Sequence, residues 1–310
     1  MTRRMVQRGA FLLLAAALLL GAARLPGHTA EPPAPADAVY VYDGYAARTD
    51  AAFDAASLDR AAYRFRHLYD LYFTGRTVYL AVVPDKALFT VPPEGYTPAG
   101  AAETADYLCG ALDFLTPVDI TAGLTLADYY RTDPHWRQEQ LRPVADTLLT
   151  AMGAPVSGTR EESLCALEGA FHGSYWGKTE EPLEPDTLSY LTSPVLEGCT
   201  VHNYETDTDG GVYDFTAAQD APYDLFLSGS RSLLRIDSPD ALSDRTLVVF
   251  RDSFGSSLIP LLAESYRTVY AVDIRYLSSD LLGRFVDFPT DADVLLLYST
   301  TVLHNSITLK

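Results

Sequence analysis

Two short stretches of this 310-residue chain hold side chains that could run acyl chemistry. The first is Arg251-Asp-Ser-Phe-Gly255. It follows a short apolar run, Leu247 to Phe250, that reads as a buried strand. It precedes Leu258, Ile259, Leu261, Leu262 and Ala263, an apolar set at helical spacing. Between strand and helix there is room only for a sharp turn, so Ser253 falls at a helix N-terminus. There, unpaired backbone N–H groups and the helix dipole favour a developing negative charge. That suits a nucleophilic hydroxyl with an oxyanion site beside it. It also suits a plain helix cap, the commonest task of Asp or Ser at such a place.

The second stretch is Asp133-Pro-His-Trp136. A carboxylate two residues before a histidine can orient one ring nitrogen while the other faces a serine. That supplies the base and orienter of a Ser-His-Asp triad. Taken alone, the same residues read more readily as a helix start, with Asp133 as N-cap and Pro134 at the first helical position, which leaves His135 idle. Spacing alone leaves both readings open.

The elements that must position these residues follow from the apolar pattern. Val39–Tyr42 reads as a strand, residues 51–75 as a helix closed by Gly75, and 77–83 as a buried strand, together suggesting a parallel βαβ unit. A helix is expected over 101–114, a strand over 118–121 and a helix over 134–152. A hairpin is expected over 201–215 around Asp209-Gly-Gly211. The alternation then resumes, with a strand at 247, a helix at 256, a strand at 268–272, a helix near 280–285 and a strand at 294–298. The chain thus reads as one α/β domain over 38–310, interrupted by an irregular insertion at about 154–244.

Composition narrows the partners. A formal net charge of −18 excludes a nucleic-acid partner and a polybasic membrane surface. Arg3, Arg4 and Arg8 precede an apolar run from Ala10 to Ala23, the pattern of an export signal over residues 1–23, cleaved or kept as an anchor. Residues 24–37 hold four prolines and read as an extended linker. Three cysteines, Cys109, Cys165 and Cys199, leave at least one unpaired; a Cys165–Cys199 bridge and buried thiols are both open. No Cys/His spacing resembles a zinc site, and no metal or cofactor is required.

Tyr129-Tyr-Arg-Thr-Asp-Pro-His-Trp136, Arg251-Asp-Ser-Phe-Gly255 and Tyr270-Ala-Val-Asp-Ile-Arg-Tyr276 resemble the bacterial DHHW family. Leu80-Ala-Val-Val-Pro-Asp-Lys86 and Asp293-Val-Leu-Leu-Leu-Tyr-Ser299 agree with it, so the match runs from about residue 38 to the C-terminus. That family is grouped with SGNH-hydrolase-like proteins and is similar to the acetyltransferase domains of alginate O-acetylation proteins. The resemblance implies a flavodoxin-like three-layer α/β/α sandwich with a mainly parallel sheet. It places Asp133 and His135 on the family's Asp-x-His pair and Ser253 on the nucleophile, a permuted order relative to ordinary SGNH hydrolases. One departure is Pro134, which stands where the family motif has the first of two adjacent histidines.

The implied function is an exported serine esterase or O-acetyltransferase acting on cell-envelope polysaccharide, at the outer face of the cytoplasmic membrane or beyond it. A membrane acyltransferase partner follows by analogy. The alternative is an inactive glycan-binding or assembly protein of the same fold. As oxyanion donors, the Ser253 N–H is the default, with Gly173 or Asn305 as second candidates. Arg251 and Arg275 read as ion-pairing, His172 and His202 as surface histidines, and Lys86 as a solvated loop lysine.

Overall fold

Strands buried on both faces must be apolar at every position, and the continuous runs near residues 80, 248 and 296 form such strands here. The computed structural model describes residues 37–159 and 161–310. In chain order its strands are β1 (Val39–Tyr42), β2 (Tyr45–Arg48), β3 (Val78–Val83), β4 (Leu115–Pro117), β5 (Ser163–Ala166) and β6 (Ser189–Thr192). They continue with β7 (Thr200–Asn203), β8 (Thr208–Gly210), β9 (Leu233–Asp237), β10 (Thr246–Arg251), β11 (Thr268–Val272) and β12 (Asp293–Ser299). Eight of them make one mixed sheet in the order β4-β3-β12-β10-β11-β9-β7-β8. The pairings from β4 to β11 are parallel, and β9, β7 and β8 extend the sheet antiparallel.

Alternate side chains of the central strands serve opposite layers. Leu80, Val82, Val248, Phe250 and Leu296 pack with Leu58, Phe65, Leu68 and Leu108 of the helices Ala55–Tyr72 and Ala101–Ala111. Ala81, Val83, Leu247, Val249, Leu295 and Leu297 pack with Val144, Leu148, Leu258 and Leu262 of the helices Arg142–Ala151 and Gly255–Ala263. This is the three-layer α/β/α sandwich with a mainly parallel sheet that the sequence resemblance implies.

Four local expectations are corrected. β1 does not join the main sheet; it pairs with β2 across Asp43-Gly44, where φ values of 48° and 76° make the tight turn of a hairpin. The strand expected over 118–121 lies earlier, at β4, because the Asp119 side chain accepts from the Thr121 N–H and hydroxyl and turns the chain. The hairpin after residue 200 turns at 204–207, with Asp207 at φ 53°, not at Gly210-Gly211. The helix expected near 280–285 is a 3₁₀ helix, Ser279–Arg284. The segment read as irregular supplies β7, β8 and β9 of the main sheet.

The sheet's carboxyl edge gathers polar side chains from four strands. Asp85 and Lys86 follow β3, Asp252 and Ser253 follow β10, Asp273 follows β11, and Ser299 ends β12. Open α/β sheets bind ligands at this edge. No described helix is long and apolar enough to cross a membrane. The apolar run Ala10–Ala23 and the linker up to residue 36 lie outside the described residues.

Candidate active site

Ser253 stands in the turn that leaves β10 for the helix Gly255–Ala263. Asp252 shapes that turn rather than reaching solvent. It is fully buried, and its carboxylate accepts from the Phe254 N–H at 3.0 Å and from the Ser299 N–H of β12 at 2.7 Å. Arg251, also fully buried, braces the turn from behind. Its guanidinium donates to the Ser256 hydroxyl (2.9 Å) and to the Gly229 carbonyl (3.1 Å). A Cβ on Gly255 would come within 2.8 Å of the Arg251 Cβ, so only glycine lets the helix start this close to the arginine stem.

Asp133 and His135 lie at the tip of a narrow loop, not at a helix start. Tyr129 and Trp136 face each other across an antiparallel bridge, and the Tyr130 N–H donates to the His135 carbonyl at 3.1 Å. The helix expected over 134–152 begins only at Arg142. The residues before it are taken by tertiary bonds. The Trp136 indole N–H donates to the Phe254 carbonyl (3.0 Å), and the Gln138 amide donates to the Ser257 carbonyl (2.8 Å). Both bonds tie the histidine loop to the serine turn, an arrangement a helix through these residues would not allow.

The result is a continuous hydrogen-bond chain. His135 Nδ1 lies 2.6 Å from Asp133 Oδ1, and His135 Nε2 lies 2.8 Å from Ser253 Oγ. The imidazole stacks on the Tyr223 ring at 4.0 Å, with Phe254 at 4.8 Å on a tilted plane. The Tyr223 hydroxyl donates to Ser257 Oγ at 3.0 Å, which fixes the ring that fixes the histidine. Burial alone would raise the Asp133 carboxyl. The charge and hydrogen bond of His135, with the backbone N–H groups of Ser174 and His135, outweigh it and hold the group at about 2. Asp133 is therefore an acceptor-only carboxylate at any neutral pH. It can keep a proton on Nδ1, leave Nε2 free to take the serine proton, and stabilise the imidazolium that forms.

The Asp133 loop is held from several sides. Asp186 accepts from the N–H groups of Arg131 and Thr132, both at 2.8 Å, and from the Thr132 hydroxyl at 2.6 Å. The turn 171–177 closes on it from the other side, the Ser174 N–H donating to Asp133 Oδ2 and the Tyr175 N–H to the Thr132 carbonyl, both at 2.8 Å. A Cβ on Gly173 would meet the Asp133 Cβ at 2.3 Å and the Thr132 oxygen at 2.5 Å. Gly173→Ala must therefore push Asp133 out of line. Because a displacement near 1 Å can cost about 100-fold in rate, turnover of an ester by this variant is expected to fall by one to two orders of magnitude, roughly. The fold, monitored by circular dichroism, should persist.

The remaining candidates go elsewhere. The Gly173 N–H donates to the Thr132 hydroxyl, so it is not a free oxyanion donor. The Asn305 amide donates to the carbonyls of Asp50 and Thr301. The Ser253 N–H, in the turn just before the helix Gly255–Ala263, remains the candidate oxyanion donor. Arg275 pairs with Asp273 at 2.7 Å. Arg251, read as ion-pairing, instead directs its two terminal NH₂ groups at the Ser256 hydroxyl and at backbone carbonyls. His172 stacks on Trp176, and His202 bonds Asp209 at 2.8 Å. Cys109, Cys165 and Cys199 are all free thiols. Lys86 is a correction: it is buried, not solvated, and its ammonium enters the Asp133 loop. No group of three or more metal-ligating side chains forms among the described residues.

No protein-family model matches the sequence, and no curated protein matches it. Solved structures do. A DHHW family protein from Eubacterium siraeum is similar at 22% identity and TM-score 0.67, over 88% of this chain and 95% of that one. Bacillus cereus PatB1, solved with a sulfonyl adduct, is similar at 16% identity and TM-score 0.66, over 86% of this chain and 96% of that one. The O-acetyltransferase domain of Pseudomonas putida AlgJ is similar at 14% identity and TM-score 0.51, over 86% and 92%. The chain thus has the α/β fold of a DHHW family protein and of the AlgJ O-acetyltransferase domain, over most of the length of each.

Proposed function

We propose that the protein is an exported serine O-acetyltransferase or acetylesterase acting on cell-envelope polysaccharide. The observation that carries this is the unbroken run of hydrogen bonds from Asp133 through His135 to Ser253, at 2.6 and 2.8 Å. In this reading Ser253 Oγ attacks the acetyl carbonyl carbon while His135 Nε2 takes the hydroxyl proton. The Ser253 N–H receives the developing oxyanion. Collapse of the tetrahedral intermediate breaks the bond to the donor's oxygen or sulfur. The leaving group departs with the proton from His135, leaving acetyl-Ser253. An acceptor hydroxyl then gives its proton to His135 and attacks the acetyl carbon; the bond to Ser253 Oγ breaks, and Oγ takes the proton back from His135, restoring the free enzyme.

The acceptor is a sugar hydroxyl in a transferase and water in an esterase. The AlgJ domain, named for O-acetyl transfer, supports the first. The arginines and apolar run at the N-terminus support export, and with it an acetyl donor supplied from the membrane by an acyltransferase partner. The test is turnover of p-nitrophenyl acetate by the purified protein beside Ser253→Ala and His135→Ala, with and without a soluble oligosaccharide. Serine- and histidine-dependent release of p-nitrophenol supports the reading, and acetylated oligosaccharide identifies the transferase. Release that neither substitution changes would sink it.

A further inference from the structure

We infer that Lys86 is a positioning residue that fixes the Asp133–His135 pair by gathering the carbonyl oxygens of their loop onto one buried ammonium, an inference that rests on the serine-acyl reading of the site. Lys86 opens the 3₁₀ turn Lys86–Phe89 immediately after β3, and only 1% of its surface is exposed. Its Nζ donates to the Tyr130 carbonyl at 2.8 Å and to the Asp133 carbonyl at 2.7 Å, with the Arg131 carbonyl at 3.5 Å. The Tyr175 ring lies 5.2 Å away on the remaining side. An ammonium has three donors, and here they point at three carbonyls of one loop. One of those carbonyls belongs to the residue that orients His135.

Burying an ammonium is costly unless its donors are satisfied, and here the loop carbonyls satisfy them. Among the described residues no carboxylate is in direct ion-pair contact with Lys86; its ammonium meets carbonyl oxygens, with the carboxylates of Asp133, Asp85 and Asp186 farther off. Replacing the lysine with an apolar side chain takes away the donor that the buried Tyr130 and Asp133 carbonyls share, which costs stability as well as position. What an apolar side chain cannot do is hold the Tyr130 and Asp133 carbonyls at fixed points against the end of a sheet strand. The charged groups facing Lys86 are Asp85 on its own turn, Asp133 on the loop and Asp186 behind it. Burial lowers the ammonium, these carboxylates raise it, and the balance lies at about 8. Loss of the proton would leave two donors and a lone pair facing the carbonyls, so the clamp loosens as pH rises through that value. The stability sign is opposite. The folded-state value is below the ordinary 10.5, so between the two the unfolded chain binds the extra proton and this group's contribution to stability grows with pH.

The experiment compares wild type with Lys86→Met by three readouts: kcat on p-nitrophenyl acetate, melting temperature, and the low-field proton resonance of His135 Nδ1–H, assigned by its absence from His135→Ala. The expected result for Lys86→Met is a fall in kcat of roughly 10- to 100-fold and loss of the low-field resonance, in a protein that stays folded with a lowered melting temperature. Should that variant not fold, wild type alone decides. Between pH 7 and 10, its kcat and low-field resonance should decline together with a midpoint near 8, while the melting temperature does not fall with them. A folded Lys86→Met with kcat within twofold of wild type and an intact resonance overturns the inference, as does a wild-type resonance unchanged to pH 10. A Lys86-dependent resonance without serine-dependent turnover would instead overturn the esterase reading and leave the clamp standing.

Discussion

Replacing Asp133 with asparagine is expected to cut turnover by roughly three to four orders of magnitude, the cost of holding a catalytic histidine in the wrong tautomer. In the native loop, Oδ1 accepts from the ring and backbone N–H groups of His135, and Oδ2 accepts from the Ser174 N–H at 2.8 Å. Asparagine offers one acceptor and one donor in the same space. If its oxygen faces His135, its NH₂ meets the Ser174 N–H donor to donor. If it flips, His135 Nδ1 must accept, the ring proton moves to Nε2, and the base can no longer take the serine proton. The substitution also removes a carboxyl held at about 2. That depression contributes on the order of 2 kcal/mol to folding. The contribution is present above the ordinary carboxylate range and is lost as pH falls through about 2. Steady-state kinetics with a thermal melt at pH 7 would check both. A rate within tenfold of wild type would show that Asp133 does not set the tautomer.

The second large effect is expected at Ser253. Its hydroxyl is bonded to His135, while the backbone of the turn is fixed by Asp252, Arg251 and Trp136 independently of that side chain. Ser253→Ala should therefore leave the melting temperature within about 2 °C, since an exposed or half-exposed truncation costs little. Esterase turnover should drop by at least about a thousandfold. A sulfonyl fluoride should inactivate wild type and leave the Ser253→Ala mass unchanged, as judged by intact mass spectrometry. Labelling of the alanine variant to the same extent would place the reactive group elsewhere.

Much of the layered fold is written into the chain because central parallel strands must be apolar on both faces. The runs at 78–83, 247–250 and 294–298 could hardly be anything else. The Asp133, His135 and Ser253 side chains were likewise visible as residue types at suggestive places, and the structure brings all three within hydrogen-bonding distance in one chain. What the sequence hid is what holds them there. Asp186 is an ordinary acid in an irregular stretch, yet it gathers the two amides before Asp133. Lys86 follows a strand and precedes a turn, where a lysine is usually solvated, and only tertiary packing buries it. The helix expected from Pro134 failed because side-chain periodicity cannot report that Trp136 and Gln138 are committed to bonds with residues more than a hundred positions later. Asp43-Gly44 is a strong tight-turn pair that encodes the β1–β2 hairpin locally, whereas the helix after it mimics a βαβ crossover.

The most direct test of the account is to trap the acyl-enzyme. Wild-type protein mixed with p-nitrophenyl acetate and quenched in acid within the first turnovers should carry one acetyl group, mapped by peptide mass spectrometry to the peptide containing Ser253. The same peptide in His135→Ala should remain unmodified on that timescale. Turnover that proceeds with no acetyl on Ser253, or acetylation of Ser253 at an unchanged rate without His135, would contradict the mechanism.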